Sequence, residues 1–248
     1  GLKFSQNWES GKKNPRELSI FNQHKSAQRA LKLLQVGERI RAERELDQLR
    51  GDPSPRAQRA LLQSADALSM PRLAYQTARS LEFDGTPLLL RGLYPLPPWI
   101  PTEGLTLDRA LIFAFMRQES AFRARARSPA GARGLMQLMP KTALYIGGRK
   151  YRARNLRRLY EPEININLGQ KYLTYLIENE LVGPNLLFLT AAYNAGPGNL
   201  KKWKKQLKTG FDPLMFIESI PSRETRNFIE RVIANFWIYR NRLGQPVP

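Results

Sequence analysis

The chain has 248 residues, enough for one large domain or two smaller ones; 42% are hydrophobic and 10% aromatic, which supports a sizeable core and argues against wholesale disorder. It contains no cysteine, which excludes disulfides, thiol nucleophiles and cysteine-based metal sites, and its one histidine, His24, excludes a multi-histidine metal site. The formal net charge of +19 favours polyanionic partners, with nucleic acid, anionic polysaccharide and a membrane surface all fitting.

The first hundred residues carry 16 Lys/Arg against 10 Asp/Glu, and the remainder 24 against 11. Positive charge therefore concentrates in the second part. His24 lies in a polar stretch far from any GxSxG-like signal, so it is expected on the surface rather than in a Ser-His-Asp triad. HKSAQRALKLLQVGERIRAERELDQLR predicts two helices broken near Val36-Gly37, and PRAQRALLQSADAL and PRLAYQTARSL predict two more. Each repeats apolar residues at three- and four-residue spacing; the latter two start on proline, whose missing N–H costs little at a first helical position. Helices paired in series suggest the end of an α-solenoid, offer few convergent polar groups and are read as scaffold. Residues 83–104 hold five prolines and three glycines and predict a packed connector without a helix, which sets a domain boundary near residue 100.

Beyond it, helices are predicted at LTLDRALIFAFMRQE, around LMQLMPKTALYI, at INLGQKYLTYLIENEL, at NLLFLTAAYNA and through RETRNFIERVIANFWIYRNRL, with a small hairpin or irregular segment near 148–156. No stretch sustains period-2 alternation and none approaches the roughly 20 apolar residues of a membrane span, so the class is all-α with no transmembrane segment. KKWKK at 201–205 is the densest basic patch, readable as a solvated helix end or as a substrate-steering surface.

Leu107, Leu111, Phe115 and Glu119 follow at four-residue spacing and share one helix face. The helix is apolar nearly all round, which marks it as central and sets Glu119 in line with buried side chains. Burial disfavours the ionised carboxyl and raises its pKa, so Glu119 is a candidate general acid, with pairing to Arg117 or Arg123 as the ordinary alternative. Downstream, SPAGARGLMQLMP (128–140) and TAAYNAGPGN (190–199) bring Ser128, Gln137, Tyr193 and Asn194 in small-residue surroundings, the mixed donors and acceptors that a sugar site needs. Between 120 and 160 there is no Asp or Glu, and Glu161, Glu163, Glu178 and Glu180 suggest helix caps or surface positions. An ordinary glycosidase uses two carboxylates, so a lone acid points to a nucleophile supplied by the substrate.

In this order RQES, GLMQLMP, AYNAGPG and IPSRETRNFIERV resemble the four motif blocks of the family 1, soluble-type lytic transglycosylases of glycoside hydrolase family 23, over roughly residues 100–245. The resemblance implies a helical, goose-type-lysozyme-like catalytic domain at 101–248. Residues 1–100 are similar to the short α-superhelical linker domain that precedes it in large members. A ring-forming superhelix lies upstream in those members, and this chain, starting at Gly1 without Met or leader, is expected to be a C-terminal portion or a short relative.

The implied chemistry is non-hydrolytic cleavage of the β-1,4 bond between N-acetylmuramic acid and N-acetylglucosamine in peptidoglycan, in the periplasm, by a monomer without cofactor or metal. Glu119 is implied to act as acid and then as base. Ser128, Met136, Gln137, Tyr193 and Asn194 are implied to line the cleft, and Glu224 and Arg226 to support the site or form an ion pair holding the last helix. The closing block departs from the family pattern at Ser222 and Phe228, where aromatic and tyrosine residues are usual. Two rivals remain: a water-using muramidase that would enlist Glu161 or Glu163, and a non-catalytic wall-binding module. No recognition-helix or RNA-binding motif supports a nucleic-acid partner.

Overall fold

A computed structural model describes residues 24–101, 103–206 and 212–247, and divides the chain into two compact units, Gly1–Pro98 and Trp99–Pro248. Among the described residues the secondary structure is helical, with two isolated bridges, Arg127 with Arg133 and Arg133 with Leu138, in place of strands.

The first unit holds α1 (Lys25–Gln35), α2 (Arg39–Asp47), α3 (Pro55–Ala67), α4 (Pro71–Ser80) and α5 (Pro87–Leu93). α1 pairs with α2, and α3, α4 and α5 pack in sequence around Leu46, Leu61, Leu62, Leu73 and Leu89. The break at Val36-Gly37 is a turn in which Gly37 sits at φ 77°, a conformation other residues resist. The proline-rich connector does contain a helix, contrary to the expectation. Thr86 caps it by accepting from the Leu89 N–H at 3.4 Å, and Pro87 starts it. Its Gly92 lies so close to α3 and α4 that a Cβ there would sit 2.5 Å from Leu62 Cδ1 and 2.8 Å from the Ala78 Cβ. His24 stands at the start of α1, with Nε2 3.7 Å from an Asp52 carboxylate oxygen.

The second unit holds α6 (Arg109–Ser120), α7 (Pro140–Gly147), α8 (Pro162–Glu178), α9 (Leu186–Ala195), α10 (Pro197–Gln206), α11 (Pro213–Ser219) and α12 (Arg223–Arg242). α6 is its central rod: Ala110 through Met116 are all buried, as the all-round apolar pattern requires. α12 lies along α6, with Tyr239 edge-on to Phe113 at 5.6 Å, and α9 packs on α12. The helix predicted around 135–146 starts only at Pro140. Gly134 at φ 80° and Gln137 at φ 47° turn the chain out of helical geometry, and residues 133–138 form a tight loop instead. Residues 148–156 are neither hairpin nor coil but parts of two 3₁₀ turns, Arg149–Tyr151 and Ala153–Tyr160. AYNAG closes α9 on Gly196 at φ 84°, and α10 begins at once on Pro197, carrying KKWKK with it. There Trp203 is buried and Lys204 caps Leu181 O at 2.8 Å, so only Lys201, Lys202 and Lys205 face outward.

Candidate active site

Glu119 stands in the last turn of α6, two residues before a left-handed pair, Ala121 at φ 50° and Phe122 at φ 62°. The pair ends the helix abruptly: the Ala121 N–H bonds Arg117 O at 3.2 Å, and Phe122 is buried. Non-glycine residues adopt this conformation at a cost, so the surrounding packing holds the helix end in place. The Glu119 side chain keeps partial exposure while protein surrounds most of it. Burial, with a smaller push from the Glu224 charge, raises its carboxyl from 4.5 to about 8. The same Glu224, exposed in the first turn of α12, is therefore the carboxylate that reaches Glu119 electrostatically. Glu161 and Glu163 are exposed at the start of α8, and Glu161 pairs with Arg158 at 3.6 Å.

Tyr193 comes from the last turn of α9. Its hydroxyl donates to the Met136 carbonyl at 2.7 Å, and its ring leans on Phe115 at 4.6 Å between centroids. Burial, then the charges of Glu119 and Tyr172, drive its pKa well above 10, so the phenol stays neutral. Glu119 and Tyr193 thus share one site. Asn194 accepts from Thr225 Oγ1 at 2.8 Å, tying the end of α9 to the start of α12. Ser222 caps α12 by accepting from the Thr225 N–H at 3.2 Å, which gives a local reason for a serine where an aromatic is usual. Phe228 is buried with its ring 6.0 Å from that of Phe115, so it fills space beneath Glu119's helix and brings no hydroxyl.

The loop 128–139 contributes differently from the expectation. Ser128 closes its own turn, accepting from the Ala132 N–H at 3.0 Å. Gln137 donates its side-chain N–H to Gly134 O at 2.8 Å. Met136 is fully buried, and its sulfur fills the space over Gly169, where a Cβ would lie 2.1 Å from Sδ. Its side chain therefore cannot line a cleft; what it offers is the carbonyl that orients Tyr193. Met139, 40% exposed, is the methionine of the block that faces outward. Glu224 and Arg226 do not pair among the described residues: Arg226 instead donates through Nη1 to the Ile220 carbonyl.

Three residues that sequence reasoning passed over build the site's floor. Asn165, fully buried on α8, accepts from the Met136 N–H at 2.8 Å and donates to Leu159 O at 2.9 Å and Arg133 O at 3.0 Å. Gly134 lets that amide approach, since a Cβ there would lie 2.3 Å from Asn165 Nδ2. Gly169 makes room for Met136 in the same way.

Comparison with known proteins follows the same lines. Residues 101–213 match the family described as the transglycosylase SLT domain. The chain is 40% identical over 148 residues to the soluble lytic murein transglycosylase of Salmonella typhimurium strain LT2, a stretch of 58% of this chain and 22% of that protein. It is similar to the crystal structure of the 70 kDa soluble lytic transglycosylase from Escherichia coli, with a TM-score of 0.77 and 30% identity over 96% of this chain and 38% of that one. It is also similar to an inactive glutamate-to-glutamine mutant of the lytic transglycosylase Slt from Pseudomonas aeruginosa, with a TM-score of 0.68 and 30% identity over 98% of this chain and 39% of that one. The chain thus spans about a fifth of the curated relative's length and under two-fifths of these solved chains. The fold is the all-α, lysozyme-like one that the motif blocks implied. Residues 101–213, within the Trp99–Pro248 unit, thus match the transglycosylase SLT domain, in line with the order of the four motif blocks.

Proposed function

We propose that this chain cleaves the β-1,4 bond between N-acetylmuramic acid and N-acetylglucosamine in peptidoglycan, leaving a 1,6-anhydro end. The observation that carries the reading is Glu119: a carboxyl raised to about 8 and holding its proton at neutral pH, beside a neutral tyrosine. Its O–H donates to the glycosidic oxygen as the C1–O bond breaks, and the N-acetylglucosamine side leaves as an alcohol. Positive charge at C1 of the muramoyl residue is met by the carbonyl of its own N-acetyl group. The Glu119 carboxylate then takes the proton of the C6 hydroxyl while that oxygen bonds to C1. The acid is regenerated and no water is consumed. The names of the relatives support the substrate, and the inactivity of a related enzyme carrying a single Glu-to-Gln change supports dependence on one acid.

Around the acid, the Ser128 hydroxyl and the Asn194 amide N–H groups are the donors proposed to hold the N-acetyl and peptidyl groups. The Tyr193 oxygen and the Gln137 amide shape the wall facing them. Residues 1–100 serve as the linker domain, and the substrate sets the location in the periplasm.

One observation favours a second reading. Glu224 lies close enough to repel a charge on Glu119, and an inverting glycosidase would use such a partner to activate water. Incubation with purified peptidoglycan sacculi and mass spectrometry of the released muropeptides decides between them. Anhydro ends, about one water lighter than reducing ends, are expected, and their loss in Glu119→Gln. Reducing ends would give the chain to hydrolysis through Glu224, and no release from intact protein would leave a wall-binding module.

A further inference from the structure

Tyr193 does not stand alone. Its ring meets Tyr172 on α8 at 5.3 Å, Tyr172 lies parallel to Tyr175 one turn on at 6.3 Å with 15° between planes, and Tyr175 meets Tyr145 on α7 edge-on at 5.4 Å. The four rings form an unbroken row that starts beside Glu119 and ends at a tyrosine 67% exposed. Tyr172 and Tyr175 are partly buried, so the row climbs from the floor of the site to the surface. Leu144, 40% exposed, flanks Tyr145. Tyr145 thus presents an aromatic face to water on α7 while its ring meets Tyr175 and its hydroxyl is in hydrogen-bond contact with that of Tyr175, at the outer end of a line of tyrosines leading to the candidate acid.

We propose that Tyr172, Tyr175 and Tyr145 form a saccharide track that continues the site, holding sugar units of the glycan strand away from the bond beside Glu119. This rests on the function proposed above. The chemistry is that of carbohydrate recognition: the C–H face of a pyranose stacks on an aromatic ring, while phenol hydroxyls exchange hydrogen bonds with ring hydroxyls. Each centroid-to-centroid step is comparable to the advance of one sugar, so successive units of a strand can meet successive rings. Continuity with Tyr193 selects the occupant, because a strand seated at Glu119 must leave along one of the walls. The phenol hydroxyls, which both donate and accept, suit the hydroxyl and acetamido groups of the strand.

The test uses the full chain carrying Glu119→Gln, so that binding is measured without turnover, and peptide-free glycan strands of two lengths. Isothermal titration with a tetrasaccharide and with strands several repeats longer compares Tyr145 with Tyr145→Ala and Tyr145→Trp. The expected result is that Tyr145→Ala weakens the longer strands by roughly three- to tenfold, that Tyr145→Trp restores them, and that tetrasaccharide affinity is that of the parent. Equal affinity for long strands in Tyr145→Ala overturns the track. So does a loss that is the same for both lengths, which marks a structural effect, and so does a deficit that appears only when stem peptides are attached. A failure of the catalytic reading shows elsewhere, as active-form protein that releases no anhydro ends, and leaves this comparison of affinities intact.

Discussion

Glu119→Gln removes a carboxyl whose ionisation the fold opposes, so the variant should gain on the wild type as pH rises. The folded chain holds the Glu119 proton up to about pH 8, whereas the unfolded chain releases it near 4.5. Across that interval the native state binds more protons than the unfolded one, and wild-type stability therefore falls from pH 4.5 to 8 and levels off above. A gap of about 3.5 pH units at about 1.36 kcal/mol per unit bounds the loss at about 5 kcal/mol. Partial exposure of the side chain admits water that screens the charge, which brings the expected loss to about 2–3 kcal/mol. Glutamine keeps the shape and has no proton to release. Urea unfolding of both proteins at pH 5, 7 and 9 should give near-equal stabilities at pH 5 and a variant about 2–3 kcal/mol more stable at pH 9, or roughly 4–10 °C in Tm. A difference that does not change with pH, or a variant less stable at pH 9, would refute the desolvated acid.

Glu224→Gln removes the like charge beside Glu119, so the basic limb of the pH–activity profile should move to lower pH; an unmoved limb would show that the two carboxyls do not interact. Asn165→Ala leaves the Met136 N–H and the Arg133 and Leu159 carbonyls without their partner in a buried site, an expected loss of about 3 kcal/mol with a fall in kcat as the Met136 carbonyl ceases to hold Tyr193. Denaturation within about 1 kcal/mol of wild type would sink that account of the loop.

The helices that could be read from the chain are those whose apolar residues recur with their own period, and α6 is the clearest: Leu111, Phe115 and Glu119 share a face, so the acid's burial followed from spacing alone. α5 escaped because Pro87 and Gly92 are punctuation in sequence, whereas here the proline begins the helix and the glycine is a packing contact. Asn165 escaped for a different reason. In ININ it looks like any polar helix position, and its value lies in three backbone groups, two of them about thirty residues away, that only the fold delivers. Glu224 was legible as a residue but not as a neighbour of Glu119, since its approach depends on how α12 lies along α6. Periodicity reports what one element does with its own faces; long-range pairing leaves no trace in it.

The ordinary fate of a glutamate among so many arginines is an ion pair, and the chain avoids it by giving the arginines adjacent in sequence other work. Arg117, two residues before Glu119, directs Nη1 to Asn235 Oδ1 on α12 at 2.6 Å. Arg123, four residues after, donates Nε to Ser120 O at 3.0 Å and so helps to satisfy the open carbonyls of the helix end. Both guanidiniums thus stabilise the frame that carries Glu119, and among the described residues none forms an ion pair with its carboxylate. An arginine at hydrogen-bond distance would lower the carboxyl's pKa and leave it ionised at neutral pH, without a proton to give. The Glu224 charge adds to burial in the opposite sense. The two left-handed residues that follow then fix the helix end in one place, so the strain of Ala121 and Phe122 accompanies an acid that forms no ion pair among the described residues.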